Sequence, residues 1–253
     1  LLTEFRRAFK NGPEGGGMLA LEGPRLVGEA IRSGARIEKA LFSRTGLEHH
    51  GAKLLPQFSK HTSAGVAGDA AFAAAMEVEH PQGVAVLLRF APPELAQVFG
   101  AAPALVIAAA GVQDPGNLGT LIRAADAFGA TGVAVLADTV SPYNPKAVRA
   151  SAGSLFHLPV AAKVAAADLI AMCRQRGVRL LAAAARAQTS LETAGLAGPV
   201  CLVIGQEAEG VPRALLRAAD ATLAIPMARE VDSLNAGVAG AILLYEAARQ
   251  RRA

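Results

Sequence analysis

The chain is poor in cysteine and in aromatic residues. Only Cys173 and Cys201 occur among 253 residues, each alone in an apolar stretch. Two thiols exclude a disulfide framework and a multi-cysteine zinc site. Both read as small core residues in a reducing, cytoplasmic setting. Tryptophan is missing and aromatic residues make up 4%, so extensive stacking against nucleic-acid bases is not expected. No apolar run approaches the roughly 20 residues that span a bilayer. The longest, Ala101 to Ala110, reads as a linker entering a buried strand. The opening residues LLTEFRRAFK contain no apolar stretch of the kind a secretory signal needs. Neither a membrane nor a bound metal is expected.

Hydrophobic residues make up 52% and charged residues 18%, with a net charge of +4. A core is therefore available and disorder is not the default. The charge is unevenly spread. No acidic residue falls between Asp138 and Asp168, where Lys146, Arg149, His157 and Lys163 lie. Such a stretch either holds phosphates or is a solvated basic loop.

Patterning divides the chain. Residues 1–91 read as a small α/β unit. It has strands at Met18–Leu21, Ile37–Ser43 and Gly83–Phe90, and a helix at Glu22–Ser33 ended by Gly34. Gly51–Ala75 is weakly patterned. Residues 92–103, with Pro92, Pro93, Gly100 and Pro103, read as a linker. Residues 104–253 alternate regularly. Strands are expected at Ala104–Ala110, Gly132–Leu136, Arg179–Ala184, Val200–Ile204 and Thr222–Ile225. Helices are expected at Leu118–Phe128, Lys146–Ala152, Ala166–Arg176, Pro212–Ala218 and Asn235–Arg251. In the last helix Val238, Ile242 and Tyr245 read as facing inward. This alternation predicts a parallel sheet covered on both faces.

Ligands of such sheets bind beyond the carboxyl ends of the strands. Three segments there could carry chemistry. Gly111–Gly129 sets Asn117 between Gly116 and Gly119 at a helix start, with Arg123 further along. It has neither the G-x-G-x-x-G of a dinucleotide fold nor the Gly-Lys-Ser/Thr of a P-loop. Gly205–Pro212 encloses Glu207 and Glu209 between Gly205 and Gly210. Pro226 opens an irregular loop that leads through Ser233, Leu234 and Asn235 into the last helix. Singly, these residues also read as caps, turns and solvated charges.

Together they resemble the SpoU/TrmH-type RNA ribose 2′-O-methyltransferases of the SPOUT superfamily. The three family motifs match NLGTLIRAADAFG (Asn117–Gly129), LVIGQEAEGV (Leu202–Val211) and IPMAREVDSLNAGVAGAILLYEA (Ile225–Ala247). Ser141–Val160 and the LALEGPRLVGEAIRSG stretch near the start are also similar to the family. One departure is Arg229 and Glu230, where the family often has glycine.

The resemblance implies transfer of a methyl group from S-adenosylmethionine to a ribose 2′-hydroxyl, in rRNA rather than tRNA. It implies a C-terminal SPOUT domain with a trefoil knot, preceded by an RNA substrate-binding domain. It also implies a homodimer through the last helix and the first motif. Asn117, Arg123, Glu207, Ser233 and Asn235 would be catalytic, with Glu207 orienting Arg123 or another cationic group and Asn117 positioning Arg123 or the ribose. Ala184, Ile204, Gly205, Gly210, Ile225, Met227, Leu234 and Asn235 would hold the cofactor. Arg123, Lys146 and Arg149 would bind RNA. A guanidinium with a pKa above about 12 is a poor general base, so Arg123 is read as a phosphate anchor. The competing readings are a tRNA ribose methyltransferase, a non-catalytic RNA-binding relative and, from fold alone, a dehydrogenase-like nucleotide enzyme.

Overall fold

The computed structural model describes residues 1–13, 17–76, 78, 80–100, 103–185, 187, 189–228 and 233–252. The chain forms two compact units. One is Leu1–Pro92 with Tyr143–Phe156, and the other is Pro93–Pro142 with His157–Ala253.

The first unit holds a four-stranded sheet of β1 (Met18–Glu22), β2 (Ile37–Ser43), β3 (Ser63–Ala67) and β4 (Val84–Arg89), in the order β1-β4-β2-β3. β4 runs antiparallel to both neighbours, and β2 pairs with β3 in parallel. Helices α1 (Leu2–Asn11), α2 (Pro24–Arg32), α3 (Arg44–Leu54) and α4 (Asp69–Met76) complete it. Phe5, Phe9, Phe72 and Met76 bury their side chains beside Ala20, Leu41 and Leu87 of the sheet. Burial pushes the Glu22 carboxyl above its ordinary pKa, while it accepts a hydrogen bond from the Gln82 amide. The weakly patterned middle thus contains α3, β3 and α4. Ser43 caps α3 by accepting from the Gly46 amide, a local bond that no hydrophobic period reports.

The second unit begins before the expected strand. Residues read as linker include a helical turn, α5 (Leu95–Val98), closed by a reciprocal capping box between Glu94 and Gln97. Val98 and Phe99 are buried in the core. Two apolar residues among prolines and glycines were enough to anchor this turn. There follow β5 (Leu105–Ala110), α6 (Pro115–Ala127) and β6 (Gly132–Leu136). Next come α7 (Pro145–Ser151), β7 (Val160–Val164), α8 (Ala166–Arg176), β8 (Arg179–Ala183) and β9 (Thr189–Ser190). The chain ends with β10 (Val200–Gly205), α9 (Arg213–Ala218), β11 (Ala221–Ala224) and α10 (Ala236–Arg252). The seven strands lie in the order β7-β6-β5-β10-β8-β11-β9, and every pair is parallel. α7 belongs to the first unit.

Strand alternation sends Val106, Ala108 and Ala110 of β5 into one core with α5, α8 and α9. Helices α6 and α10 pack together on the other face. Here one expectation is corrected. Val238 and Tyr245 are 47% and 51% exposed, and the buried residues of α10 are Ala236, Gly237, Gly240, Leu243, Leu244 and Ala247. The contact is made by glycine rather than by bulk. A side chain at Gly240 would sit 2.1 Å from Leu121 Cδ1. Close approach of the two helices favours an empty position there, and Val238 and Tyr245 lie outside the buried face.

The end of α10 is tied to the sheet entrance. The Arg251 guanidinium donates to the carbonyls of Leu196 (3.2 Å), Pro103 (3.0 Å), Ala104 (2.8 Å) and Gly198 (2.6 Å). Removing it strands the carbonyls of Leu196, Pro103 and Gly198, while Ala104 keeps the Val200 amide. Hydrogen bonds to a charged group contribute about 1.5–3 kcal/mol each in isolation, although water can reach part of this shared site. Arg251→Met is therefore expected to cost about 2–4 kcal/mol and lower the melting temperature by about 5–15 °C. Arg251→Lys, without the planar fork, should recover less than half of the loss in a thermal melt followed by circular dichroism.

One turn earlier, Glu246 accepts from Arg249 Nε (2.8 Å), Arg249 Nη2 (2.7 Å) and Gln250 Nε2 (2.7 Å). The Arg249 and Gln250 donors hold its carboxyl at about 2, below the ordinary 4.5. A depressed carboxyl pKa contributes stability above the unfolded value, and that stability is lost as pH falls. The stability difference between wild type and Glu246→Gln is thus expected to shrink as pH drops from 4.5 to about 2, measured by urea unfolding across that range.

Candidate active site

The carboxyl ends of β5, β10 and β11 bring the three predicted segments together. α6 starts at Pro115 after an N-cap, Asp114, whose side chain accepts from the Asn117 amide at 2.8 Å. This fixes Asn117 in the first turn. β10 ends at Gly205, and a tight turn follows in which the Gly210 amide donates to the Gln206 carbonyl at 2.9 Å. Gly205 has to be glycine: a Cβ there would lie 2.0 Å from the Gly210 carbonyl carbon. Asn235 caps α10, its side-chain oxygen accepting from the Val238 amide at 3.2 Å.

These three positions meet in one hydrogen-bonded cluster. Oε1 of Glu207 accepts from Asn117 Nδ2 (3.0 Å), Asn235 Nδ2 (3.1 Å) and the Ala236 amide (3.3 Å). Asn235 Nδ2 also donates to Asn117 Oδ1 at 2.8 Å. The second carboxylate oxygen of Glu207 and the second hydrogen of Asn117 Nδ2 have no partner among the described residues. One acceptor and one donor are therefore left pointing away from a rigid cluster.

The cluster does not contain Arg123. Glu207 was expected to orient Arg123 or another cationic group and Asn117 to position Arg123 or the ribose; they bond each other and Asn235. Arg123 is exposed on α6 with no polar partner among the described residues. Helical geometry explains this: six residues advance about 600°, which turns Arg123 about 120° away from Asn117.

Beside the cluster lies a cavity of about 380 Å³. Seven residues predicted to hold a cofactor line it: Ala184, Ile204, Gly205, Gly210, Ile225, Met227 and Leu234. Ser233 lines it as well. Asn235 does not, whereas Glu207 of the same cluster does. The sequence reading missed Leu216 and Leu223, which supply apolar wall, and Ala183, Ala185, Ala236 and Ala239, whose small side chains leave the space open. The run of alanines after β8 was the available signal. Apolar walls interrupted by main-chain polar groups suit a flat heterocycle with a polar tail. Arg229 and Glu230, the departure from the third motif, lie outside the described residues.

The remaining predicted residues lie elsewhere. Lys146 and Arg149 are exposed on α7, in the first unit. His157, from the acid-free stretch, places Nδ1 2.8 Å from Asp126 Oδ2. Among the described residues no group of side chains could hold a metal ion. No helix of the described residues is long and apolar enough to cross a membrane.

Comparison with known proteins agrees with this layout. The model of the SpoU rRNA Methylase family matches residues 104–245. An uncharacterized tRNA/rRNA methyltransferase of Synechocystis sp., slr1673, is 32% identical over 243 residues, 93% of this chain and 85% of that protein. The 23S rRNA (guanosine(2553)-2′-O)-methyltransferase RlmP of Bacillus subtilis is 32% identical over 225 residues, 89% of this chain and 86% of its own length. The crystal structure of the SpoU methyltransferase AviRb from Streptomyces viridochromogenes, in complex with AdoMet, has a TM-score of 0.88 at 28% identity. That match covers 100% of this chain and 98% of the other.

The turn that bounds the cavity depends on Gly205. Gly205→Ala is expected to break the Gln206–Gly210 contact, so that the Gly210 amide exchanges with solvent more than about tenfold faster while the core amides of β10 stay protected. Hydrogen exchange read by NMR or mass spectrometry checks this.

Proposed function

The chain belongs to the SpoU rRNA methylase family, and we propose that it transfers a methyl group from S-adenosylmethionine to a ribose 2′-hydroxyl of 23S-type rRNA. The observation that carries this reading is the cavity walled by Ile204, Ile225, Met227 and Leu234, set directly against the Asn117–Glu207–Asn235 cluster. One feature takes a methyl donor and the other can take the hydroxyl that receives the group.

The residues fit the cofactor. Ile204, Leu223, Ile225 and Met227 would enclose the adenine, and Gly205, Gly210 and Leu234 would offer main-chain groups to its polar atoms. Bound S-adenosylmethionine supplies an electrophilic sulfonium methyl. This chain's own residues then orient the hydroxyl that receives it. The free hydrogen of Asn117 Nδ2 and the free oxygen of Glu207 hold the ribose, and holding a nucleophile in line supplies several kcal/mol of the barrier reduction. Arg123, on another side of α6, binds an RNA phosphate, and the proton of the hydroxyl leaves to a phosphate oxygen or to water. Ser233 fixes the cofactor loop or the ribose.

Lys146 and Arg149 hold RNA backbone in this reading, contacts that give affinity without sequence choice. The first unit is the RNA substrate-binding part. A homodimer through α10 and the first motif is supported by the exposed apolar side chains of Val238 and Tyr245, the latter 5.7 Å edge-on to Phe128. The trefoil knot expected from the resemblance and a cytoplasmic location belong to the same proposal. Two buried free cysteines support the location.

The test incubates the purified protein and Arg123→Ala with methyl-labelled S-adenosylmethionine and separate pools of unmodified rRNA and tRNA. A 2′-O-methylnucleoside from the rRNA pool is expected, reduced about 100-fold or more in Arg123→Ala with cofactor affinity unchanged. Label on a base would overturn the ribose assignment. Label from tRNA alone would overturn the choice of RNA. Cofactor binding without label in either pool would leave an RNA-binding relative.

A further inference from the structure

The strand order reverses between β5 and β10. From β5 the sheet continues through β6 and β7, and from β10 it continues through β8, β11 and β9. Parallel α/β sheets bind ligands in the crevice at such a switch point. A cavity of about 730 Å³ lies there, against the far side of the Gln206–Val211 turn from the cofactor cavity. It shares Gln113 and Gln206 with a recess of about 280 Å³ that contains Asn117 and Glu207. The three hollows follow one another along a single turn, and methyl transfer as described above leaves the largest of them without a role.

Its walls are fixed. Gln113 Nε2 donates to the carbonyls of Gly111 (3.2 Å) and Asp138 (2.7 Å). Both amide hydrogens are thereby used, and Oε1 remains as an acceptor. Thr139 Oγ1 accepts from the Gly111 amide and donates to the Ala109 carbonyl, each at 3.0 Å. The Val140 amide donates to the Val112 carbonyl at 3.0 Å. The turn that carries Asp138 is thus stitched to the turn that carries Gln113. The carboxylates of Asp138 and Glu209 have no polar partner among the described residues, and Arg213 is the cation lining the cavity. Acceptors dominate on a hydrogen-bonded backbone frame, with one strong donor.

We infer that this crevice takes the nucleobase of the target nucleotide and that its chemistry selects guanine. The inference rests on the ribose-methylation reading, which puts the sugar over Asn117 and Glu207 next door. Guanine alone among the four bases presents two neighbouring donors, N1–H and N2–H, on one edge, and a carboxylate accepts both. Uracil offers a single N–H between two carbonyl oxygens. Adenine and cytosine set a ring-nitrogen acceptor beside their amino group, which a carboxylate repels. Asp138, on the stitched turn, is the carboxylate assigned to that edge. Arg213 is the donor available to guanine O6 or N7, the pairing arginine makes most readily with this base.

The test is direct binding of fluorescent heptanucleotides UUUXUUU, with X as G, inosine, A, C or U, in the presence of saturating S-adenosylhomocysteine. The full chain and Asp138→Asn are compared at low salt. The G oligonucleotide is expected to bind at least about fivefold more tightly than A, C and U, with inosine, which lacks the N2 amine, in between. Asp138→Asn should bring G to within about twofold of the others while S-adenosylhomocysteine affinity is unchanged. Equal binding of all five, no binding of any, or a G preference that survives Asp138→Asn would overturn the assignment. A G preference lost in Asp138→Asn in a protein that methylates nothing would keep the pocket and retire the reaction. Methylation of rRNA with no base preference would do the reverse.

Discussion

A single carboxylate oxygen holds the functional end of the second unit together. Oε1 of Glu207 accepts from Asn117, Asn235 and the Ala236 amide, so that the second motif is joined to the first and the third. Asn117 and Asn235 are 118 residues apart, yet 2.8 Å separates their side-chain atoms. Each bond alone is modest, since water competes for every partner. Their effect comes from geometry. Asn117 is already fixed by the Asp114 cap and Asn235 by its own cap on α10. Glu207 therefore joins two helix starts that are independently rigid. A cluster assembled from fixed parts loses little entropy on forming, and a free donor and acceptor on it are held where a substrate must meet them.

The two helix starts and the turn after β10 converge there because of the sheet. All seven strands are parallel, so every strand-to-helix connection emerges at the same edge. Neighbouring strands bring their connections within side-chain reach. β5 and β10 pair directly, and Gly205 stands opposite Ala110 in the register. Residues after those two strands, Gln113 and Asn117 on one side and Gln206 and Glu207 on the other, consequently share walls.

That much was legible in the sequence. Short apolar runs followed by glycine and polar residues gave the strands β5, β6 and β10 and the turn after each. Three such segments carried enough specific residues to indicate the family. Other features were hidden for physical reasons. α10 was assigned an inward face on the bulk of Val238 and Tyr245, but its packing is set by Gly237 and Gly240, where the informative property is the missing side chain. Hydrophobic periodicity weights large residues and is blind to a helix contact built on small ones. α3 in the first unit is held by a serine cap and carries a His49–His50 pair, exposed and half-buried respectively, so its apolar signal is weak. α7 sits in sequence among elements of the second unit but packs with the first. Local pattern reads element type, not which core an element joins. Arg123 looked like a partner of Glu207 because both are charged and both lie in motifs, and only the helical angle shows that it faces elsewhere.

The two sides of the Gln206–Val211 turn differ in character, and the difference follows from which strands end beside each. On one side β8 and β11 end in Ala183–Ala185 and Ile225–Met227, so the wall is apolar and open. On the other side β5 and β6 end in Gly111–Gln113 and Asp138–Thr139, so the wall is polar and cross-linked by hydrogen bonds. A thin turn between unlike surfaces suits a transfer reaction between unlike molecules. The apolar side can enclose a heterocycle by burial, while the polar side can discriminate by donors and acceptors, which reject a wrong partner more strongly than apolar contact does. The turn can be this thin because Gly205 and Gly210 leave no side chain between its two arms: the bridge between Gln206 and Gly210 closes over the space a Cβ at Gly205 would fill.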